Sequence, residues 1–176
     1  MLQSAAELKR VVFDEETIAE RVRELGEAIT AGYPDGELLV LGLLKGSFIF
    51  LSDLVRKIDR PLQVDFLVAS SYGEGTVSSG NVRLVYDPGT ELQGKHILLV
   101  EDIIDTGKTL NKLVALLRER RPHSLEICAL LHKHVAEHLE LEAKFVGFDA
   151  PTLFLVGYGL DHAENFRHLP YIASLR

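Results

Sequence analysis

The chain reads as one α/β domain over residues 1–176, built on a mainly parallel, twisted β-sheet flanked by helices. Three observations lead there. Nearly unbroken aliphatic runs of strand length recur along the sequence, as in parallel strands buried on both faces. Segments with helical apolar spacing alternate with those runs. With 47% of residues hydrophobic and 26% charged, the composition supplies one real core and leaves little room for a second.

In chain order, Ile18, Val22, Leu25 and Ile29 recur at helical spacing, with Asp14 placed as the N-cap and Gly32 as the stop. Leu38 to Leu44 is the first aliphatic strand, and Gly46 leads into a second helical pattern ending near Lys57. Strand runs return at Val64 to Ala69 and at His96 to Val100. A helix carrying Leu110, Leu113, Val114 and Leu117 follows, and then a strand from Leu125 to Leu131. Between Ser70 and Asn81 small residues replace apolar periodicity, which predicts a mobile loop or an exposed hairpin connection. No internal repeat, low-complexity tract or linker is visible.

Charge and cysteine content narrow the function classes. A formal net charge of -7 disfavours a broad polyanion-binding surface, so no nucleic-acid partner is expected. The single cysteine, Cys128, lies inside an aliphatic run, which excludes a disulfide framework and points to a reducing compartment. No signal-peptide pattern opens the sequence and no apolar run is long enough for a bilayer, so the expectation is a cytoplasmic protein without a membrane partner.

The most informative stretch runs from Ile97 to Leu110: a buried strand ends in Glu101 and Asp102, then passes through a small-residue turn into a helix. Open α/β sheets bind ligands at this edge. At the helix start, Thr106, Gly107, Lys108 and Thr109 can offer unpaired backbone N–H groups and hydroxyls to a phosphate, which the helix dipole also favours. Adjacent carboxylates would repel that phosphate unless they faced hydroxyl donors or a cation. A magnesium-bound ribose supplies both. Asp105, between the acids and the turn, is placed to accept or hold a proton near a reacting centre, although a carboxylate there also suits a helix cap.

Three look-alike motifs lead elsewhere. Gly107-Lys108-Thr109 ends like a Walker A loop, but Asp102 stands where that loop needs glycine. Asp105-Thr106-Gly107 matches half of an aspartic-protease dyad and has no second copy. His134-Val135-Ala136-Glu137-His138 spells a zinc motif that requires a helix, with His132 nearby, yet the Leu139 to Glu142 segment reads as solvated surface rather than as scaffold for a further ligand.

Four separated segments together resemble the hypoxanthine-guanine phosphoribosyltransferase family: Leu44-Lys45-Gly46-Ser47, Ser70-Ser71-Tyr72-Gly73, the acidic strand and turn, and Phe154 to Asp161 with Phe166-Arg167. The resemblance implies a type I phosphoribosyltransferase fold with a small hood made by the N-terminal and C-terminal segments, and a homodimer or homotetramer. It implies purine salvage from phosphoribosyl pyrophosphate (PRPP) and a 6-oxopurine, with Mg2+ as cofactor. Glu101 and Asp102 would engage the ribose and metal, and Thr106, Gly107, Lys108 and Thr109 the 5-phosphate. Asp105 would be the acid–base residue near N7. Lys133 would donate to O6, so a 6-amino base would be disfavoured. Phe154 would stack on the base, the Leu155 backbone would read its edge, and Asp161 would hold a second magnesium. Arg167 and the Lys45-Gly46 peptide would bind pyrophosphate, with a cis bond expected at Leu44-Lys45. Ser71 and Tyr72 would begin a lid, running to Gly80, that closes over the site. Taken singly, the residues have other readings: Lys133 at the surface, Phe154 in a core, Asp161 as a cap, Arg167 against surface acids.

This chain departs from the family pattern in carrying His132 and His134 around Lys133, where aspartate and proline are common. That leaves the preference among hypoxanthine, guanine and xanthine open at this stage. Xanthine or uracil transfer, or a nucleic-acid-binding regulator on the same fold, are the other readings.

Overall fold

A computed structural model describes residues 8–72, 81–136 and 138–176. Six strands form the main sheet: β2 (Leu38–Leu44), β3 (Leu62–Tyr72), β4 (Asn81–Tyr86), β5 (His96–Ile104), β6 (Ser124–His132) and β7 (Phe145–Asp149). Their spatial order is β4-β3-β2-β5-β6-β7. All neighbouring pairs are parallel except β3 with β4, which form an antiparallel hairpin. A separate antiparallel sheet, in the order β1-β9-β8, joins β1 (Leu8–Phe13) to β8 (Leu155–Val156) and β9 (Ile172–Leu175).

Helix α1 (Glu15–Gly32) begins where the sequence places it, because Asp14 Oδ1 accepts the Thr17 N–H at 2.8 Å. Glu15 and Glu16 in the first turn complement the helix dipole. The four apolar positions at helical spacing are its buried face. Helix α2 (Phe48–Val55) and helix α3 (Lys108–Glu119) complete the layers.

Strand pleating divides the core in two. Leu38 and Val40 join the apolar residues of α1 and α2 on one face, while Leu39 and Leu41 join Leu110, Val114 and Leu117 of α3 on the other. Strand β5 divides in the same way, with Leu98 and Val100 on the first face and Ile97 and Leu99 on the second. Both faces are therefore dry, which is why these strands read as continuous hydrophobic runs. The small sheet shares the first core through Leu155 and Ile172, joined by Tyr158 and Leu160 from the connection between β8 and β9. Cys128 is a buried free thiol within β6.

One expectation needs correction, and one rejected motif can be checked. Strand β5 does not end at the acids but runs through them to Ile104. The described residues of the His134–His138 segment form no helix, and His134 has a φ of 53°, so the helical spacing a zinc motif needs is missing. Among the described residues no group of three or more His, Cys, Asp or Glu side chains is arranged to hold a metal by itself.

Candidate functional site

The carboxyl ends of β5 and β6 bring the predicted residues together. Glu101 is buried on β5, and burial, reinforced by the Asp102 charge, pushes its carboxyl well above the ordinary range. Asp102 is half-buried, and its carboxyl is pushed up to about 6, chiefly by burial. Its Oδ1 accepts the Ile103 N–H at 2.9 Å. Two adjacent carboxyl groups with so little compensation are poised for an external donor or cation.

Beyond Ile104 the chain turns around a cavity of about 160 Å³ lined by Glu101, Asp105, Thr106, Gly107, Lys108 and Thr109, among others. Gly107 occupies the N-cap position of α3 at φ 73°, a conformation that suits glycine, and no side chain caps the helix. Asp105 is thus not a helix cap. Among the described residues, no protein acceptor takes the backbone N–H groups of Thr106 to Leu110. The turn therefore faces open space with its donors free, as an anion site requires.

Lys133 follows β6 directly, and its backbone N–H donates to Ile104 O at 3.0 Å, which locks the two strand ends. Its side chain is only 15% exposed and its Nζ lies 2.9 Å from Asp105 Oδ2. The surface-lysine reading is excluded. Flanking it, the His132 and His134 rings lie 3.9 Å apart, and His134 Nε2 is 2.6 Å from Asp149 Oδ1 at the end of β7. Burial first, and the His134 charge second, lower the basicity of His132. The two histidines are thus turned to each other and to β7, and Lys133 alone of the three is paired with Asp105.

A second cluster lies beside the acids. The Leu44–Lys45 peptide bond is cis, as the resemblance implies. Gly46 abuts the Asp102 carboxylate so closely that a Cβ at this position would overlap it, and a Cβ on Gly159 would overlap Gly46 O. Arg167 reaches the same place, its Nη1 donating to Gly159 O at 2.7 Å and its Nη2 lying 2.9 Å from Asp161 Oδ1. Arg167 Nε is buried without a protein acceptor among the described residues. Glu164, which the sequence reading did not single out, lies 3.1 Å from Lys45 Nζ and 3.5 Å from Arg167 Nη2. Its Nα–H donates to Asp161 Oδ2 at 2.8 Å, so Asp161 closes a turn rather than capping a helix.

Other residues stand apart. Phe154 is 55% exposed, hence no core aromatic, and meets His162 edge-on at 5.2 Å. Leu155 is buried in β8 opposite Ser174. Ser71 and Tyr72 are the last residues of β3, and the rest of the expected lid, residues 73–80, lies outside the described residues. A larger cavity, about 750 Å³, lies between α1 and α2, and none of the predicted site residues lines it.

Known proteins resemble the chain over nearly its whole length. The phosphoribosyl transferase domain pattern matches residues 12–163. A hypoxanthine-guanine phosphoribosyltransferase of Dictyostelium discoideum is 48% identical over 172 residues, covering 96% of this chain and 96% of that protein. Its counterpart in Bacillus subtilis is 46% identical over 170 residues, covering 97% and 94%. A crystal structure of a hypoxanthine phosphoribosyltransferase from Staphylococcus aureus superposes with a TM-score of 0.92 at 44% identity, covering 97% of this chain and 93% of the other. With its strand-end acids, free helix amides and likeness to these enzymes over nearly its full length, the chain belongs to the phosphoribosyl transferase domain family.

Proposed function

We propose that this chain salvages purines, transferring the phosphoribosyl group of PRPP to a ring nitrogen of hypoxanthine or guanine and releasing pyrophosphate. One observation carries the reading: a buried carboxyl beside a half-buried one, a helix start with free amides and a lysine–carboxylate pair converge on one sheet edge. The names of the full-length relatives support it. In this reading Glu101 and Asp102 accept hydrogen bonds from the ribose hydroxyls, and Thr106, Gly107, Lys108 and Thr109 donate to the 5-phosphate. Lys133 donates to O6 and Asp105 holds the proton at N7. Phe154 and the Leu155 backbone border the base, and the small sheet forms the hood on that side. Arg167 and the Lys45-Gly46 peptide donate to the pyrophosphate oxygens. Ser71 and Tyr72 begin the lid that keeps water from the ribosyl carbon.

The donor set fits magnesium. Glu101 and Asp102 offer hard carboxylate oxygens at one edge, and Asp161 offers a further carboxylate near Arg167. Among the described residues the protein supplies no closed three-ligand site, as suits an ion that keeps its waters and takes oxygens from a pyrophosphate substrate. When bound, Mg2+ would neutralise the charge developing on the leaving pyrophosphate. The chain acts in the cytoplasm as a homodimer or homotetramer in this reading.

The test is nucleotide formation from PRPP with labelled hypoxanthine, guanine, xanthine, adenine and uracil, each with Mg2+ and with excess EDTA. Metal-dependent turnover of hypoxanthine or guanine is expected. Equal turnover of adenine would refute the Lys133 contact, and turnover of uracil alone would replace the purine assignment.

A further inference from the structure

Tyr158 sits in a run of three residues with positive φ: Gly157 at 100°, Tyr158 at 52° and Gly159 at 101°. A tyrosine rarely adopts that backbone, so surrounding contacts must hold it there. Its N–H donates to Leu169 O at 2.8 Å, and the Gly159 N–H donates to Arg167 O at 3.0 Å. The residue is only 6% exposed, and its hydroxyl donates to Asp53 Oδ2 at 2.6 Å.

Asp53 stands on α2, which starts immediately after the Lys45-Gly46 segment. The Phe48 N–H donates to Lys45 O at 3.2 Å and the Leu51 N–H to Ser47 O at 2.8 Å, so the helix and that segment are joined by backbone bonds. On the far side of Tyr158, Gly159 rests against Gly46 O and accepts from Arg167. The two strips of chain that carry Lys45 and Arg167 therefore meet twice, once glycine on glycine and once through a phenol–carboxylate bond.

We propose that the Tyr158–Asp53 hydrogen bond is a positioning device: it sets the separation of the Lys45-Gly46 peptide from Arg167 and thereby the affinity for the pyrophosphate end of PRPP. This rests on the reading that Lys45, Gly46 and Arg167 hold that pyrophosphate. Tyr158 and Asp53 line the large cavity between α1 and α2, outside the cavity that holds Glu101, so they act through Gly159 and α2 rather than by touching substrate.

Tyr158→Phe removes one oxygen and leaves the ring in place. It is expected to raise KM for PRPP and the inhibition constant of pyrophosphate about tenfold, with kcat and the hypoxanthine KM within about twofold of the parent. Asp53→Asn keeps a carbonyl acceptor for the phenol and should retain the parent KM. Asp53→Leu should match Tyr158→Phe, and the double variant should be no worse than either single one. A parent-like PRPP KM in Tyr158→Phe overturns the proposal, even if Tm falls, because the bond would then serve stability alone. Arg167→Gln separates the two layers. If it weakens PRPP while Tyr158→Phe does not, the positioning role fails and the pyrophosphate reading stands; if neither weakens PRPP, both fall.

Discussion

Lys133 Nζ lies 2.9 Å from Asp105 Oδ2, so the donor expected at O6 and the carboxylate expected at N7 are ion-paired with each other. A 6-oxopurine presents O6 and N7 on one edge and can replace the pair contact with one hydrogen bond to each partner. Asp105→Asn preserves the shape of the side chain but cannot carry a proton, so kcat should fall by about 10²–10⁴. Steady-state rates at saturating hypoxanthine and PRPP test this. Unchanged turnover removes Asp105 from the acid–base role.

Lys133 carries the base discrimination in the same picture. Lys133→Gln exchanges an ammonium for a group that both donates and accepts, and a hydrogen bond to a charged donor contributes about 1.5–3 kcal/mol. The hypoxanthine KM should rise roughly 10- to 100-fold, and the preference over adenine should narrow. Competition between the two bases measures it. Discrimination that survives intact would place the selecting group elsewhere.

How much of this was legible in the sequence follows from burial. Strand β2 emerged with its true ends because both faces are covered, so every residue from Leu38 to Leu44 is apolar or glycine. Strand β5 outruns its apolar pattern because Glu101 and Asp102 interrupt the run, and an acid in a strand looks like a strand end. Strands β1, β4 and β7 lie at sheet edges and β8 has two residues, so none shows a firm periodicity. Lys133 and Asp105 stand 28 residues apart, and no local spacing announces their contact. The family resemblance suggested both. Glu164 gave no signal, being one exposed acid in a segment without periodicity. The Gly157-Tyr158-Gly159 run was visible as sequence, but its use required the backbone.

Gly46 is held to glycine by the Asp102 carboxylate. That carboxylate is tied to Ile103 N–H through its other oxygen, so a methyl group at Gly46 must push it out of place. The strain falls on a side chain at the surface of the core, not within it. Gly46→Ala should therefore cost about 1 kcal/mol of stability or less, seen as a Tm shift of about 2–4 °C, while kcat/KM for PRPP drops about 100-fold. A large Tm loss with retained kcat/KM would show that Asp102 tolerates displacement.

Glu101 ties stability to pH in a direction that can be worked out. Burial and the Asp102 charge raise its carboxyl well above the ordinary value of 4.5. A folded-state pKa above the unfolded one means that the folded chain binds the proton more tightly. The stability contributed by that proton is complete below about pH 4.5 and is lost as pH rises through the folded-state value. Glu101→Gln carries no charge at any pH. In metal-free buffer the variant should melt above the parent at pH 8, and the two curves should converge near pH 4. Saturating Mg2+ with PRPP should shrink the gap at pH 8, because the parent alone has a carboxylate for the bound complex to neutralise, and the variant should lose most of its turnover. Thermal melts across pH, with EDTA and with Mg2+–PRPP, measure all three. A parent that melts higher than Glu101→Gln at pH 8 in EDTA would mean that the protein already satisfies this charge, leaving the strand-end acids without a demand for an external cation.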